Sequence, residues 1–167
     1  MTTTIRRLLP SDAEAYVALR RRALDAEPFA FGASPADDSA VSLEVTRRRF
    51  EPDDPMANFG AFASELIGTA GLFRIAKAKE SHKVFVWGVY VDPAYQGAGL
   101  GRQLVETAIA HARQVDGVDA VHLTVTESQH PAIHLYERLG FVCWGVEPDA
   151  LRWQGRSVAR HHMMLRL

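Results

Sequence analysis

The sequence predicts an α+β fold, a single domain over residues 1–167 with a mixed central sheet of about seven strands flanked by about four helices. Three observations carry that prediction. Residues 85–91 are apolar on both faces, with Phe85, Trp87, Val89 and Val91 on one and Val86 and Tyr90 on the other, as in a central strand covered from either side. Residues 99–114 align Leu100, Leu104, Val105, Ala108, Ile109 and Ala112 in one stripe, the pattern of a helix laid on a sheet. With 167 residues, 47% hydrophobic and 23% charged, the chain can bury one core and is too short for two ordinary domains.

Residues 4–9 read as a first strand closed by Pro10. Ser11 and Glu14 form a capping box that opens a helix, with Tyr16, Leu19, Ala23 and Leu24 at helical spacing and Pro28 ending it. Residues 29–35 are loop-like, and residues 42–50 form a shorter helix before Pro52 and Pro55. Residues 58–63 and 67–74 form a hairpin around Ser64 and Glu65, and residues 77–82 are a polar loop. Gly88 inside the central strand predicts a bulge or a close backbone approach. Asp116 and Gly117 turn the chain into a strand at Ala120–Thr126. Pro131 suits a first helical residue and Gly140 a C-terminal cap, bracketing a fourth helix. Residues 141–146 and 160–167 complete the strands.

The net charge of −1, from 19 basic and 20 acidic residues, offers no bulk attraction for nucleic acid or an anionic membrane. The three lysines, Lys77, Lys79 and Lys83, crowd into one stretch that reads as a solvated loop. Cys143 is the only cysteine, which excludes an internal disulfide and a thiolate cluster, and its apolar neighbours predict a small buried hydrophobe. The first residues lack the apolar stretch of a leader, and no uncharged run reaches the ~18 residues that span a bilayer, so the expected location is cytoplasmic.

The chemistry concentrates where the central strand runs through Asp92, Pro93, Ala94 and Tyr95 into Gln96, Gly97, Ala98, Gly99, Leu100, Gly101 and Arg102 at the start of the strongest helix. The first amides of a helix have no internal partner and carry the positive end of its dipole. Glycines without a Cβ let a phosphate approach several of them together. The phosphate loop of nucleotide-binding proteins needs a Lys and a Ser or Thr after its last glycine, where this chain has Arg102 and Gln103. The dinucleotide fingerprint fails because Arg102 takes the third glycine position and Gly97 stands too far from the strand.

The run Gln96-Gly97-Ala98-Gly99-Leu100-Gly101 resembles the acyl-CoA pyrophosphate loop of the GNAT superfamily of N-acetyltransferases. Residues Gln129, Ala132, Leu135, Tyr136, Gly140 and Phe141 are similar in order and spacing to that family's second signature. The resemblance implies one N-acetyltransferase domain over residues 1–167. It implies that acetyl-CoA, as co-substrate, lies in a cleft where the parallel strands of residues 85–91 and Ala120–Thr126 splay apart. The pantetheine arm is then expected along Val89, Tyr90 and Val91, with Gly88 or its neighbourhood as the bulge. The pyrophosphate is expected on the amides of Gly97, Ala98, Gly99, Leu100, Gly101 and Arg102, with Gln96 at the entrance. Gln129 and Ala132 are expected beside the CoA chain. Tyr136 matches the tyrosine that protonates the departing thiolate after direct attack by a primary amine. A phenol near pKa ~10 and a thiol near ~8.5 make that transfer chemically reasonable.

Two positions depart from the family pattern. Gln129 replaces an asparagine, and its longer amide either bonds differently or serves as a helix cap. The central strand carries no carboxylate to deprotonate the amine; Glu127 and His82 are the remaining candidates, and neither is assigned as base. The expected partner is a small-molecule or peptide amine, with no nucleic acid, membrane or metal, and homodimerisation is left open. A non-catalytic acyl-CoA sensor is the alternative, and a dinucleotide enzyme using Glu127 on a ribose is a weaker third. His130 and His134 lack a third ligand by spacing, and His161 and His162 point to opposite faces of a strand. Arg20–Arg22 and Arg47–Arg49 read as solvated helix faces. Residues 29–32 (Phe29, Ala30, Phe31, Gly32) are an apolar loop that in such a family lines the acceptor pocket or else tucks onto the core.

Overall fold

In the computed structural model, which describes residues 2–52 and 56–167, the chain runs β1 (Thr4–Arg7), α1 (Ala13–Ala26), α2 (Leu43–Arg49), β2 (Asn58–Phe62), β3 (Leu66–Arg74) and β4 (Lys83–Val91), then α3 (Leu100–Ala112), β5 (Ala120–Thr126), α4 (His130–Arg138), β6 (Val142–Trp153) and β7 (Arg156–Arg166). Pro55 lies outside the described residues. The strands form one sheet in the order β1-β2-β3-β4-β5-β7-β6, as the α+β expectation requires. Among the described residues, only β4 and β5 pair in parallel; the other neighbours are antiparallel.

Two apolar clusters cover the faces of the sheet. The stripe of α3, from Leu100 to Ala112, joins Ile67, Leu72, Val84, Val86, Val121 and Tyr136 in the larger cluster. Tyr16, Leu19, Ala23 and Leu24 of α1 pack with Phe31, Phe50, Leu66 and Tyr90 on the other side. Neighbouring strand residues such as Leu66 and Ile67 divide between the clusters because side chains alternate across a strand. Thus α1 and α2 back one face, and α3 and α4 the other.

Three local expectations are corrected. The capping box of Ser11 and Glu14 does not form. Instead the Asp12 carboxylate accepts from the Leu9 amide at 2.8 Å and from the Arg6 guanidinium at 2.7 and 2.8 Å, while Glu14 pairs with Arg47 at 3.2 Å. A doubly hydrogen-bonded Arg–Asp pair supplies a charge-assisted stop that a serine hydroxyl cannot match. The last hairpin is longer than expected: β6 continues past Pro148, where the register shifts between Glu147 and Leu151 and Asp149 takes φ 54. Proline is tolerated there because β6 is an edge strand and the residue sits in a bulge. The same edge position leaves Cys143 exposed, beside exposed Val142, Trp144 and Val146, rather than buried. Among the described residues, no helix is long and apolar enough to cross a membrane.

Candidate functional site

The central strands separate early. β4 and β5 are paired at Lys83–Ala120, Val84–Val121 and Phe85–His122, and no further. Beyond Phe85 the strands diverge, and their facing backbone edges open into a wedge. Gly88, at φ 62, forms the bulge expected from the sequence: Thr69 and Gly71 of β3 oppose Tyr90 and Trp87, so β4 carries one extra residue. The bulge decides which backbone groups face the wedge. The Thr69 hydroxyl donates to the Gly88 carbonyl at 2.9 Å, and the Asp92 amide donates to the Ile67 carbonyl at 2.8 Å. Residues 88 and 92 therefore address β3, and by alternation the backbone of Val89 and Val91 addresses the wedge, with Tyr90 turned back to β3. A cavity of about 80 Å³ at the wedge is lined by Gly88 and Val89, by Thr124 of β5, and by Gln129, Ala132 and Tyr136.

The glycine-rich turn follows directly. Asp92 accepts from the Ala94 amide at 3.0 Å, bending the chain after β4, and the Gln96 side-chain amide donates to the Val91 carbonyl at 3.0 Å. Gly97 and Gly99 have φ 82 and 76, a backbone that L side chains rarely adopt, and Gly99 is the N-cap of α3. Among the described residues, the amides of Gly97, Ala98, Gly99, Leu100, Gly101 and Arg102 donate to no protein acceptor. A Cβ at Gly97 would meet nothing within 4 Å, and one at Gly99 or Gly101 only side-chain atoms at 3.8 to 3.9 Å. Six unused donors above open space, at the positive end of α3, are the chemistry of an anion cradle. The Arg102 guanidinium lies one turn down, held by Glu106 at 2.8 Å.

Tyr136 enters the wedge from α4. It is 6% exposed, packs edge-on against Phe141 with ring centroids 5.8 Å apart, and its hydroxyl has no protein partner among the described residues. Burial pushes its phenol above the ordinary range, so it keeps its proton at any working pH. The Gln129 side chain does not cap α4 and instead donates to Glu27 of the segment after α1 at 3.4 Å. Glu127 stands at the wedge end of β5, but its carboxylate accepts from the Ala159 amide at 2.8 Å. His82 precedes β4 at the end where the strands are still paired, away from the wedge. Neither side chain lines the wedge cavity, nor does any other carboxylate or imidazole among the described residues.

A larger cavity of about 590 Å³ adjoins the wedge and shares Phe31, Trp87, Gly88 and Thr124 with it. The apolar loop of residues 29–32 thus lines a pocket and packs on the core at once; the Thr126 hydroxyl ties it down by donating to the Phe29 carbonyl at 2.6 Å. Here the reading of the arginine runs as solvated faces is overturned for two members. Arg20 is 8% exposed and pairs with buried Asp38, while Arg49 lies with its guanidinium carbon 4.9 Å from the Trp87 ring centre. Arg21, Arg22, Arg47 and Arg48 remain exposed. The missed signal is helical spacing: Tyr16, Arg20 and Leu24 stand four apart on the buried stripe of α1. Burial raises the Tyr16 phenol to about 12, against the opposing pull of Arg20 and Arg49. Among the described residues, no three His, Cys, Asp or Glu side chains gather where they could hold a metal.

Comparison with known proteins agrees with this arrangement. The chain is 36% identical over 144 residues to the mycothiol acetyltransferase of Thermobispora bispora, covering 81% of this chain and 45% of that protein. It is 35% identical over 156 residues to the mycothiol acetyltransferase of Salinispora arenicola, covering 89% and 48%. The chain therefore spans about half the length of these curated relatives. Among solved structures, it matches an acetyltransferase of the GNAT family from Streptococcus pneumoniae with TM-score 0.87 at 22% identity, over 99% of this chain and all of the other. It also matches the GNAT superfamily phosphinothricin acetyltransferase of Sinorhizobium meliloti, solved in complex with acetyl-CoA, with TM-score 0.86 at 18% identity, over 100% of this chain and 89% of the other. These two likenesses establish the fold. The sequence profile described as "Acetyltransferase (GNAT) family" matches residues 18–141, the greater part of the chain, and this protein belongs to that family.

Proposed function

We propose that residues 1–167 form one cytoplasmic N-acetyltransferase domain that moves the acetyl group of acetyl-CoA to a primary amine by direct attack. The observation that carries the reading is the juxtaposition of two backbone surfaces that no neighbouring strand pairs, with the Val91 carbonyl engaged only by the Gln96 side chain. The free amides of Gly97 to Arg102 lie at the end of the strand whose Val89 and Val91 backbone faces the open wedge. A pyrophosphate suits the first and an amide-bearing arm the second, so the donor set fits acetyl-CoA along its length. The co-substrate supplies the activated acetyl group as a thioester.

The chain's own groups supply position and a proton. Gly97, Ala98, Gly99, Leu100, Gly101 and Arg102 hold the phosphates by backbone amides, with Gln96 fixing the turn against Val91. Val89 and Val91 orient the arm as an added strand would. Ala132 and Gln129 border the wedge, and the Tyr136 hydroxyl, without another partner among the described residues, donates toward the departing sulfur. Desolvation raises the pKa of phenol and thiol together, which keeps the transfer between them balanced. With no carboxylate or imidazole lining the wedge, the amine gives its proton to water, and turnover rises with pH through the amine's own titration.

A second reading, an acyl-CoA sensor without turnover, is favoured by that same lack of a base. Release of free CoA thiol across a panel of primary amines separates the two. Thiol release with any amine supports transfer; calorimetric binding of acetyl-CoA with no release leaves the sensor. An absence of acetyl-CoA binding overturns both.

A further inference from the structure

The Arg20 side chain is buried at the wall of the larger cavity. Its Nε and Nη2 both donate to Asp38 Oδ2, at 2.8 and 2.6 Å, and Asp38 Oδ1 is already engaged by the Ala40 amide at 2.7 Å. The remaining nitrogen, Nη1, is buried with no hydrogen-bond partner among the described residues. A buried guanidinium N–H without an acceptor is costly, and interiors seldom leave one. Its neighbours place it at the edge of the wedge. Nη1 lies 3.8 Å from the position of a Cβ built on Gly88, at the bulge shared by the wedge and the larger cavity. The Phe31 ring lies under the guanidinium, its centre 4.3 Å from Cζ, and fixes its plane.

The charge balance of the cavity points the same way. Asp38 neutralises Arg20, but Arg49, facing the cavity over Trp87, has no ion pair among the described residues. Arg74 also lines the cavity, with its guanidinium bonded to the Ser81 and Asp116 carbonyls. The free Nη1 amino group and a nearby cation without an ion pair among the described residues match a single negative charge held by charge-assisted hydrogen bonds.

We infer that the acceptor is a primary amine carrying a carboxylate, which Arg20 Nη1 binds directly and Arg49 attracts. Since Nη1 borders the bulge at the mouth of the wedge, carboxylate and amine stand only a few bonds apart, as in an α-amino acid. This inference rests on the acetyltransferase reading for the identity of the amine, but carboxylate binding is measurable without turnover.

The test compares free amino acids with their carboxamides, which keep the amine and lose the charge. Two readouts are taken: thermal stabilisation of the CoA-loaded protein, and kcat/KM by thiol release. The wild type should prefer the acids by roughly ten- to a hundredfold, the scale of a charge-assisted hydrogen bond. Arg20→Lys keeps the pair with Asp38 and removes the third nitrogen, so the preference should fall at least tenfold while the KM for acetyl-CoA stays unchanged. Arg49→Gln, at a half-buried site, should weaken acid binding without touching amides, and Arg49→Lys should restore it. Amides that stabilise the wild type as well as acids, or an undiminished preference in both Arg20→Lys and Arg49→Gln, would overturn the inference. Acid-selective stabilisation without thiol release would support carboxylate binding and overturn the transferase reading alone.

Discussion

Arg20 and Asp38, eighteen positions apart on α1 and in the segment before α2, form an ion pair at 2.6 Å with both side chains less than a tenth exposed. Neither charge can be removed alone without stranding the other in an apolar cluster. Asp38→Ala should therefore lower unfolding free energy by about 3–5 kcal/mol, the usual cost of breaking a buried pair. Denaturant unfolding checks this, and Arg20→Met added to Asp38→Ala should recover part of the loss. A single-variant effect below about 1 kcal/mol would mean the pair is solvated in solution.

Gly101 separates cradle from fold. Its φ is not positive and a Cβ there meets only Leu135 and Val91 at 3.8 Å, so Gly101→Glu should fold with little change in melting temperature. The carboxylate would compete for the free amides at the start of α3, and acetyl-CoA affinity should fall by roughly tenfold to a hundredfold. Calorimetry reads the outcome; unchanged affinity would remove the cradle from the CoA site. Gly99→Glu should lose binding too, but its φ of 76 adds backbone strain and lowers stability.

For Tyr136, the absence of a hydroxyl partner sharpens the expectation. Tyr136→Phe should leave melting temperature and acetyl-CoA affinity nearly unchanged, because no hydrogen bond among the described residues is lost. Turnover should drop roughly 10²-fold if the hydroxyl donates to the leaving sulfur. An unaltered rate with an amine that the wild type accepts would exclude the phenol from the chemistry.

The buried phenols also set an alkaline limit. Tyr16 has its pKa raised to about 12 by burial, while in the unfolded chain it ionises near ~10. Below pH ~10 both states hold the proton and stability is unaffected; above it the unfolded state alone releases protons, so stability falls as pH rises toward about 12. Tyr16 alone should account for about 2–3 kcal/mol over that interval. Urea melts at pH 9 and 11 measure the slope, and Tyr16→Phe should make it shallower while buried Tyr136 keeps the remainder.

The helix α3 and the turn before it are legible in the sequence because their signals are local: a six-residue stripe, and glycines at set spacing after a strand. The wedge is legible only through resemblance, since nothing within β4 or β5 announces that pairing stops at Phe85 and His122. The Arg20 site is hidden for another reason. Three consecutive arginines occupy different sides of a helix, and composition cannot tell which one turns inward. Its partner Asp38 and its aromatic support Phe31 come from a loop without periodicity. Cys143 misleads because an apolar run at a sheet edge looks like one in the centre.

The three rungs between β4 and β5 have a mechanical meaning. Among the described residues, they are the only strand pairing that stitches the slab β1–β4 to the slab β5–β7–β6. Past them the slabs are joined by side-chain tethers such as Thr126 to Phe29 and Gln129 to Glu27, and by the packing beneath α3. A molecule bonded to Val89 and Val91 on one side and held by α4 on the other would act as extra stitches in that seam. Part of its binding energy would then appear as stiffness: slower hydrogen exchange across β5 and a more cooperative unfolding of the two slabs.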